Sequence, residues 1–164
     1  MNSTSVQEEK QLVVLNLGSE AFGVDIARVR EIIRMLNVTK VPRTPDFVEG
    51  VINLRGKVIP VVNLRSRFGL PLEEQTRENR IVVVDIGGQD IGIIVDSVNE
   101  VLRISTEVVE PLSEVMVTAA SDYLMGIAKL KDRLIILLDL GKVLSDIDKK
   151  SCLDISPEAG LHKN

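Results

Sequence analysis

The chain has 164 residues, of which 45% are hydrophobic and 27% are charged, and its formal net charge is −4. This composition predicts a compact globular domain and excludes a disordered or fibrous chain. The charge is uneven, at +3 over residues 1–70 and −7 over residues 71–164. A field this weak argues against a nucleic-acid partner, because such binding depends on neutralising many phosphates, whereas two opposite signs suit protein partners.

The sequence predicts an intracellular protein. Cys152 is the only cysteine, so no disulfide can form within the chain, as is typical of intracellular proteins. The first ten residues are polar and acidic and lack the pattern of a signal peptide. The longest apolar runs, Val58–Val62 and Leu134–Leu138, have five residues, against the roughly 20 that a membrane-spanning helix needs. We therefore expect no membrane insertion.

An internal repeat divides the chain. Residues 17–26 align with residues 86–95 at an offset of 69, and residues 47–64 align with residues 123–140 at an offset of 76. Two aligned blocks in the same order predict two related lobes. We expect lobe one at about residues 11–70, lobe two at about 79–147, and polar tails at 1–10 and 148–164. The matched pairs include Gly50/Gly126, Leu54/Leu130, Ile59/Ile135 and Leu64/Leu140.

In lobe one the apolar pattern predicts a hairpin, a short helix, a second hairpin and a final short helix. They cover residues 12–26 with a turn at 18–20, residues 27–34, residues 50–62 with a turn at 55–56, and residues 64–69. The helix over 27–34 rests on Val29, Ile32 and Ile33, which would share one helical face. Pro60 cannot donate a hydrogen bond to a strand partner, so we expect it at a sheet edge or a bulge.

Lobe two repeats this order. The predicted elements are a hairpin with its turn at 87–89, a short helix over 96–103, a hairpin with its turn at 131–132, and a helix over 140–146 capped by Asp139. Each lobe thus has four to five short strands and no long amphipathic helix. This arrangement predicts an all-β fold with short helices, in which each lobe is a closed or nearly closed barrel.

No catalytic, cofactor-binding or metal-binding site is predicted. His162 and Cys152 lie in a polar tail without the spacing of metal ligands or of a catalytic pair. Gly87-Gly88 followed by Gly92 only loosely resembles a dinucleotide-binding motif, because here it joins two strands rather than opening a helix. The three aspartates Asp85, Asp90 and Asp96 are interpreted as a solvated rim of the sheet rather than a metal or acid–base cluster.

Three surface features remain as candidates for partner binding. The segment 41–50, stiffened by Pro42 and Pro45, is either a docking loop or a packed connection. Arg55 stands at a hairpin turn where lobe two has Lys131-Asp132, and it either contacts a partner or braces its own loop. Glu31 is matched by Glu100, which fits a structural role as well as a binding role.

Several segments together resemble the CheW family of chemotaxis coupling proteins. The resemblance runs from Leu12 to about Leu144 and leaves both tails unmatched. It implies two intertwined, SH3-like, five-stranded β-barrel lobes packed together. The most specific segments are Phe22–Ile26 (FGVDI), Val29 with Glu31-Ile32, Thr44-Pro45, Phe47–Gly56 (ending GVINLRG) and Ile59–Arg65 (IPVVNLR), followed in the second half by Gly92–Val101 and Tyr123–Leu138.

The resemblance also implies a function. Members of this family are adaptors without catalytic activity that bridge the cytoplasmic tips of methyl-accepting chemotaxis receptors to the regulatory domain of the histidine kinase CheA. This chain would then be cytoplasmic and recruited to membrane receptor arrays, and its kinase contact is implied only at the level of a lobe. The residues that match the family's receptor and signalling positions are Val29, Glu31, Gly50, Asn53 and Arg55.

Three alternatives stay open. The chain could be the related coupling domain of a CheV-type protein or of the kinase itself, which would need an attached receiver or catalytic domain. A small-barrel nucleic-acid binder would need clustered basic residues with stacking aromatics, yet the chain has only four aromatic rings and a pI near 5.1. An enzyme is the least supported of the three.

Overall fold

The structure is a computed structural model that describes residues 8–111 and 123–144. The tail residues Cys152 and His162 lie outside the described residues. Short 3-10 turns lie at Ile26–Arg28 and Thr106–Val108. The elements are β1 Glu9–Leu17, β2 Glu20–Asp25, β3 Val29–Arg34, β4 Val48–Leu54, β5 Lys57–Asn63, α1 Leu64–Arg67, β6 Arg80–Ile86, β7 Gln89–Val95, β8 Ser97–Ser105, β9 Val109–Glu110, β10 Leu124–Lys129, β11 Leu134–Leu138 and α2 Leu140–Val143.

The strands form two sheets, which we call the six-stranded lobe (order β8-β1-β2-β11-β10-β9) and the five-stranded lobe (order β3-β6-β7-β5-β4). The sequence repeat relates β1 to β6, β2 to β7, β3 to β8, β4 to β10 and β5 to β11. Under this relation one strand order becomes the other, apart from β9. Even β9 has a counterpart, because its pairing of Glu110 with Ile127 corresponds to a bridge between Thr39 and Val51.

Each lobe takes strands from both halves of the sequence. The β1–β2 hairpin belongs to the six-stranded lobe with β8–β11, and the β6–β7 hairpin belongs to the five-stranded lobe with β3–β5. Two parallel pairings join the halves, with Phe22 opposite Ile136 and Val61 opposite Gly92. The lobes are therefore intertwined, and the all-β fold with short helices is confirmed.

Three apolar cores stabilise the fold, one between the lobes and one within each lobe. A central core lies between the sheets and takes buried residues from both of them, such as Leu15 and Val84. A second core fills the six-stranded lobe and a third fills the five-stranded lobe. These two inner cores match through the repeat, since their buried residues include Leu12/Ile81, Val14/Val83, Ala128/Ile52, Ile135/Ile59 and Leu137/Val61.

The helices predicted over residues 27–34 and 96–103 are wrong, because these segments form β3 and β8. Burial along β3 alternates, with Val29, Glu31 and Ile33 half-buried and Ile32 39% exposed. The period is therefore two, which is that of a strand. An isolated helix of about two turns is marginal in water, whereas antiparallel pairing with β6 and β1 satisfies the backbone of both segments.

Pro60 is not at a sheet edge, one of its two predicted positions, because β5 lies between β7 and β4; the register shift of the β4–β5 pair lies in β4, between Val48 and Gly50. Val51, opposite Pro60, exchanges both of its backbone hydrogen bonds with Thr39, each at 2.8 Å. The pairing of β5 with β7 begins only at Val61. An interior strand thus tolerates a proline here because no neighbouring strand is paired to its nitrogen.

The other local predictions are confirmed. All four hairpins form, with turns at the predicted residues. The two short helices also form but are shorter than expected, at Leu64–Arg67 and Leu140–Val143, and residues 145–146 of the second prediction lie outside the described residues. Asp139 caps the second helix by accepting a hydrogen bond from the Lys142 backbone N–H at 3.2 Å.

Two repeat-matched glycines allow a close approach of backbones. A Cβ on Gly50 would lie 2.1 Å from the carbonyl oxygen of Thr39, and a Cβ on Gly126 would lie 2.7 Å from that of Glu110. Gly50 also has φ +149°, a conformation that residues with a side chain rarely adopt. Only glycine therefore fits at positions 50 and 126, where β4 passes Thr39 and β10 passes Glu110.

We predict that Gly50→Ala lowers the free energy of unfolding by about 2–5 kcal/mol, because strain at this φ adds to a clash with backbone that cannot move aside. The control is Gly56→Ala, where φ is +88° and nothing lies within 4 Å of the added Cβ, so only strain of about 1 kcal/mol remains. Urea denaturation followed by circular dichroism measures both, and equal losses would contradict the prediction.

Candidate functional site

The structure brings together three of the five residues implied by the resemblance. Glu31 on β3, Asn53 at the end of β4 and Arg55 in the β4–β5 turn form one cluster. Val29 instead packs against the central core. Gly50 lies against Thr39, where its role is to permit the passage of β4.

The β4–β5 turn fixes the direction of Arg55. Arg55 and Gly56 have φ of +53° and +88°, the pair of signs that a two-residue hairpin turn of type I′ requires. Asn53 stabilises this turn because its Oδ1 accepts a hydrogen bond from the Gly56 backbone N–H at 2.8 Å. Asn53 therefore acts on the orientation of Arg55, a role that the sequence did not reveal.

An ion pair joins Arg55 to Glu31. These residues lie on β4–β5 and β3, and β3 and β4 are opposite edges of the five-stranded lobe. The sheet therefore curls until its two edges come together at this ion pair. We call the region around Glu31 and Arg55 the mouth of the five-stranded lobe. The Arg55 side chain is 69% exposed and that of Glu31 is 32% exposed, so the pair contributes at most about 1 kcal/mol to stability and stays accessible to a partner.

The six-stranded lobe has an equivalent pair that the sequence analysis missed. Arg133 donates to Glu100 at 2.5 Å. Glu100 is repeat-matched to Glu31, but Arg133 is matched to Lys57 rather than to Arg55. The turn residues Lys131-Asp132 match Arg55-Gly56 and contain no arginine. The offset of 76 applied to Lys57, just after the turn, leads to Arg133.

The mouth of the five-stranded lobe carries a second charged group beside Glu31. Arg30 donates to Asp90 at 2.5 Å and to Asp85 at 3.1 Å, and Lys57 donates to Asp90 at 3.0 Å. Burial of the Asp90 carboxyl opposes its ionisation, but the hydrogen bonds from Lys57 and Arg30 outweigh this and lower its pKa. The Asp90 side chain is only 12% exposed.

Another ion pair, largely buried, joins α1 to the junction between β7 and β8. Arg65 on α1 donates to both carboxylate oxygens of Asp96, at 2.8 Å and 2.6 Å, and to the Pro71 carbonyl at 2.7 Å. Asp96 also accepts a hydrogen bond from the Gly18 backbone N–H at 2.7 Å. The hydrogen bond from Arg65 is the main cause of a lowered Asp96 pKa. Together these contacts tie α1, the β1–β2 turn and the β7–β8 junction to one point.

The interpretation of three aspartates as a solvated rim is wrong for Asp90 and Asp96. Their side chains are 12% and 28% exposed, and both are ion-paired. Asp85, at 37% exposed, is closer to that expectation. Alternation along a strand could not reveal these partners, since Arg65 and Arg30 are distant in sequence.

The segment 41–50 is a packed connection rather than a free loop. Val48 is buried, and the Phe47 ring lies 4.3 Å from the Arg67 guanidinium. Arg67 also lies 4.9 Å from the ring of Tyr123, the repeat-matched partner of Phe47, and donates to the Val143 carbonyl at 3.0 Å. Phe47 and Val48 at the end of this segment therefore pack against the central core, whereas Pro42 is exposed.

Two depressions lie on either side of Arg65. One is an apolar groove of about 460 Å³, lined by Phe22, Phe68, Leu124 and Ile136 among others. The other is a polar cleft of about 700 Å³ above Asp96. Within residues 8–111 and 123–144, no group of three His, Cys, Asp or Glu side chains could hold a metal ion. In the same ranges no helix is long and apolar enough to span a membrane.

Comparisons with known proteins agree on one family. The family model described as "CheW-like domain" matches residues 11–148. The chain is 39% identical to the chemotaxis protein CheW of Klebsiella aerogenes, over 83% of this chain and 82% of that protein. It is 34% identical to the CheW of Helicobacter pylori, over 84% and 83%. The solved structure of the scaffolding protein TtCheW from Thermoanaerobacter tengcongensis is similar, with a TM-score of 0.78 and 41% identity over 84% of this chain and 93% of that one.

We predict that Asp96→Asn lowers the free energy of unfolding by about 2–3 kcal/mol at pH 7, because it removes the carboxylate charge beside the buried Arg65 and leaves the exposed Glu73 as the only charged group that Arg65 is seen to contact among the described residues. The stabilisation from Asp96 is complete above its unfolded pKa of about 3.9 and is lost as the pH falls through its lower folded pKa. The difference between wild type and variant should therefore shrink below about pH 4, as followed by urea denaturation at several pH values.

The control for this experiment is Glu73→Gln. The Glu73 side chain is 69% exposed, so this change should cost less than about 1 kcal/mol. If Glu73→Gln lowered the free energy of unfolding as much as Asp96→Asn does, the stabilisation could not be assigned to the pair of Arg65 and Asp96.

Proposed function

The chain belongs to the CheW-like family of chemotaxis proteins, and from that premise we propose that it is an adaptor that couples methyl-accepting receptors to the histidine kinase CheA. The family model covers all of the fold described above except residues 8–10, and that match carries the proposal. In this role the protein catalyses no reaction and acts by holding two partners in a fixed geometry. It works in the cytoplasm and is recruited to receptor arrays at the membrane.

The receptor surface is proposed at the mouth of the five-stranded lobe. Arg55 is held on a rigid turn and is largely exposed, and Glu31 faces it from the opposite sheet edge. Ile32, next to Glu31, is 39% exposed and offers apolar area. A receptor helix would lay an apolar stripe along Ile32 and the part of Val29 that the central core leaves accessible, with the charges of Glu31 and Arg55 fixing its orientation.

The kinase contact is proposed on the other lobe. The family's kinase has a regulatory domain of the same fold, and a pseudosymmetric contact between related lobes suits a duplicated protein. The six-stranded lobe carries exposed Val101 and Leu134 beside its own Glu100–Arg133 pair. Each interface of ordinary size buries about 800 Å² per partner, and the many contacts of an array add avidity to modest single affinities.

We predict that Arg55→Ala weakens binding to receptor roughly 10-fold, as loss of an exposed interfacial arginine often does. Receptor-dependent kinase activation should fall in a reconstituted mixture of receptor, kinase and adaptor. Thermal unfolding should barely change, because the ion pair is exposed. The matched control is Lys131→Ala at the equivalent turn, which should leave receptor binding intact, and normal coupling by Arg55→Ala would remove this residue from the site.

Glu31→Lys should weaken receptor binding more than kinase binding, because it places a second cation beside Arg55 at the receptor surface. Separate pull-downs with receptor and with kinase measure the two affinities. Glu100→Lys, the repeat-matched change, should have the opposite preference. Equal loss of both partners in Glu31→Lys would instead indicate a folding defect.

A further inference from the structure

The two lobes use different cations for the same glutamate position. Glu31 pairs with Arg55, which lies in the turn, whereas Glu100 pairs with Arg133, which lies two residues beyond the position that matches Arg55. The residue of the five-stranded lobe that matches Arg133 is Lys57. A cation at that position can therefore reach the glutamate, yet in the five-stranded lobe it does not pair with it.

The reason lies on the neighbouring strand. Lys57 is held by Asp90, whose Oδ2 accepts from the Lys57 Nζ at 3.0 Å while its Oδ1 accepts from Arg30 at 2.5 Å. The residue matched to Asp90 in the six-stranded lobe is Ala21, which carries no charge. Arg133 thus has no competing carboxylate at that position and turns to Glu100.

The side chains concerned face the same mouth. Glu31 and Lys57 lie two residues from Ile33 and Ile59 of the inner core of the five-stranded lobe, and Asp90 lies four residues from Ile94, which packs against the same core. Ala21 packs against the matching inner core of the six-stranded lobe. The same alternation therefore directs the cation at position 57, and that at position 133, towards the mouth.

We infer that Asp90 is a positioning residue that decides which lobe presents an exposed arginine to the receptor. By holding Lys57, Asp90 leaves the Glu31 carboxylate to Arg55 and so keeps Arg55 oriented on its turn. Arg55 is 69% exposed in this arrangement, whereas Arg133 in the other lobe is 36% exposed. The inference rests on the proposed function, because it explains why the receptor would bind the five-stranded lobe and not the equivalent surface of the six-stranded lobe.

The test uses three variants of the 164-residue chain. Asp90→Ala should weaken receptor binding at least 5-fold, because the freed Lys57 competes for Glu31 and releases Arg55. Adding Lys57→Met to Asp90→Ala should restore binding to within about 2-fold of wild type, since the competitor is removed. Lys57→Met alone should leave binding unchanged, and kinase binding should be the same for all three proteins.

A merely structural role of Asp90 predicts a different result. If the double variant binds receptor as weakly as Asp90→Ala, the inference is overturned. Asp90→Asn, which keeps the volume of the side chain, replaces Asp90→Ala should the latter fail to fold, as judged by circular dichroism.

A second readout does not depend on the receptor. In a crystal structure of Asp90→Ala we expect the Lys57 Nζ within 4 Å of the Glu31 carboxylate and Arg55 turned away from it. An unchanged Glu31–Arg55 pair in that structure would also overturn the inference. If wild type itself fails to bind receptor, the proposed function fails, and the crystal structure still decides the role of Asp90.

Discussion

The exchange of hairpins between the two halves is the constraint on which the rest of the structure depends. Neither half of the sequence contains all the strands of a lobe, so β1–β2 completes the sheet of the second half and β6–β7 that of the first. The central core forms between the two sheets as a result. Folding of either lobe thus requires both halves, which makes the chain one cooperative domain despite its duplicated sequence. The buried pair of Arg65 and Asp96 secures this exchange, because it holds the β1–β2 turn and α1 to the start of β8.

The proposed function depends on where the two repeats differ. Their inner cores and the glycines Gly50 and Gly126 match residue by residue, and their strand orders are the same apart from β9. A few polar positions break this symmetry. Asp90 is matched by Ala21, and Arg65 is matched by Gly141. A single carboxylate is enough to redirect a lysine, because opposite charges at a partly buried site interact strongly. A common scaffold can thereby present different surfaces to two partners.

Local patterns predicted the hairpins, the short helices and the repeat, because turn residues and apolar alternation act over a few residues. They failed at Val29, Ile32 and Ile33, whose spacing fits a helix as well as a strand with the register shift that β3 has between Val29 and Glu31. They also failed at Pro60 and Asp96, where the outcome depends on Thr39 and Arg65. Of the candidate site, Glu31 and Arg55 were named through the resemblance, but their ion pair, the role of Asn53 and the Arg133 counterpart were not.

The sequence by itself determined the strand-rich composition, the order of the elements, the duplication and the family. Each of these follows from the types of residue and their spacing along the chain. Only the tertiary structure decided that the hairpins exchange between lobes, that Asp96 and Asp90 are largely buried, and which cation pairs with each glutamate. These outcomes depend on distances between residues far apart in the chain, such as the 60 positions that separate Arg30 from Asp90. Local propensity carries no information about such contacts, because burial and charge pairing arise only once the sheets have packed.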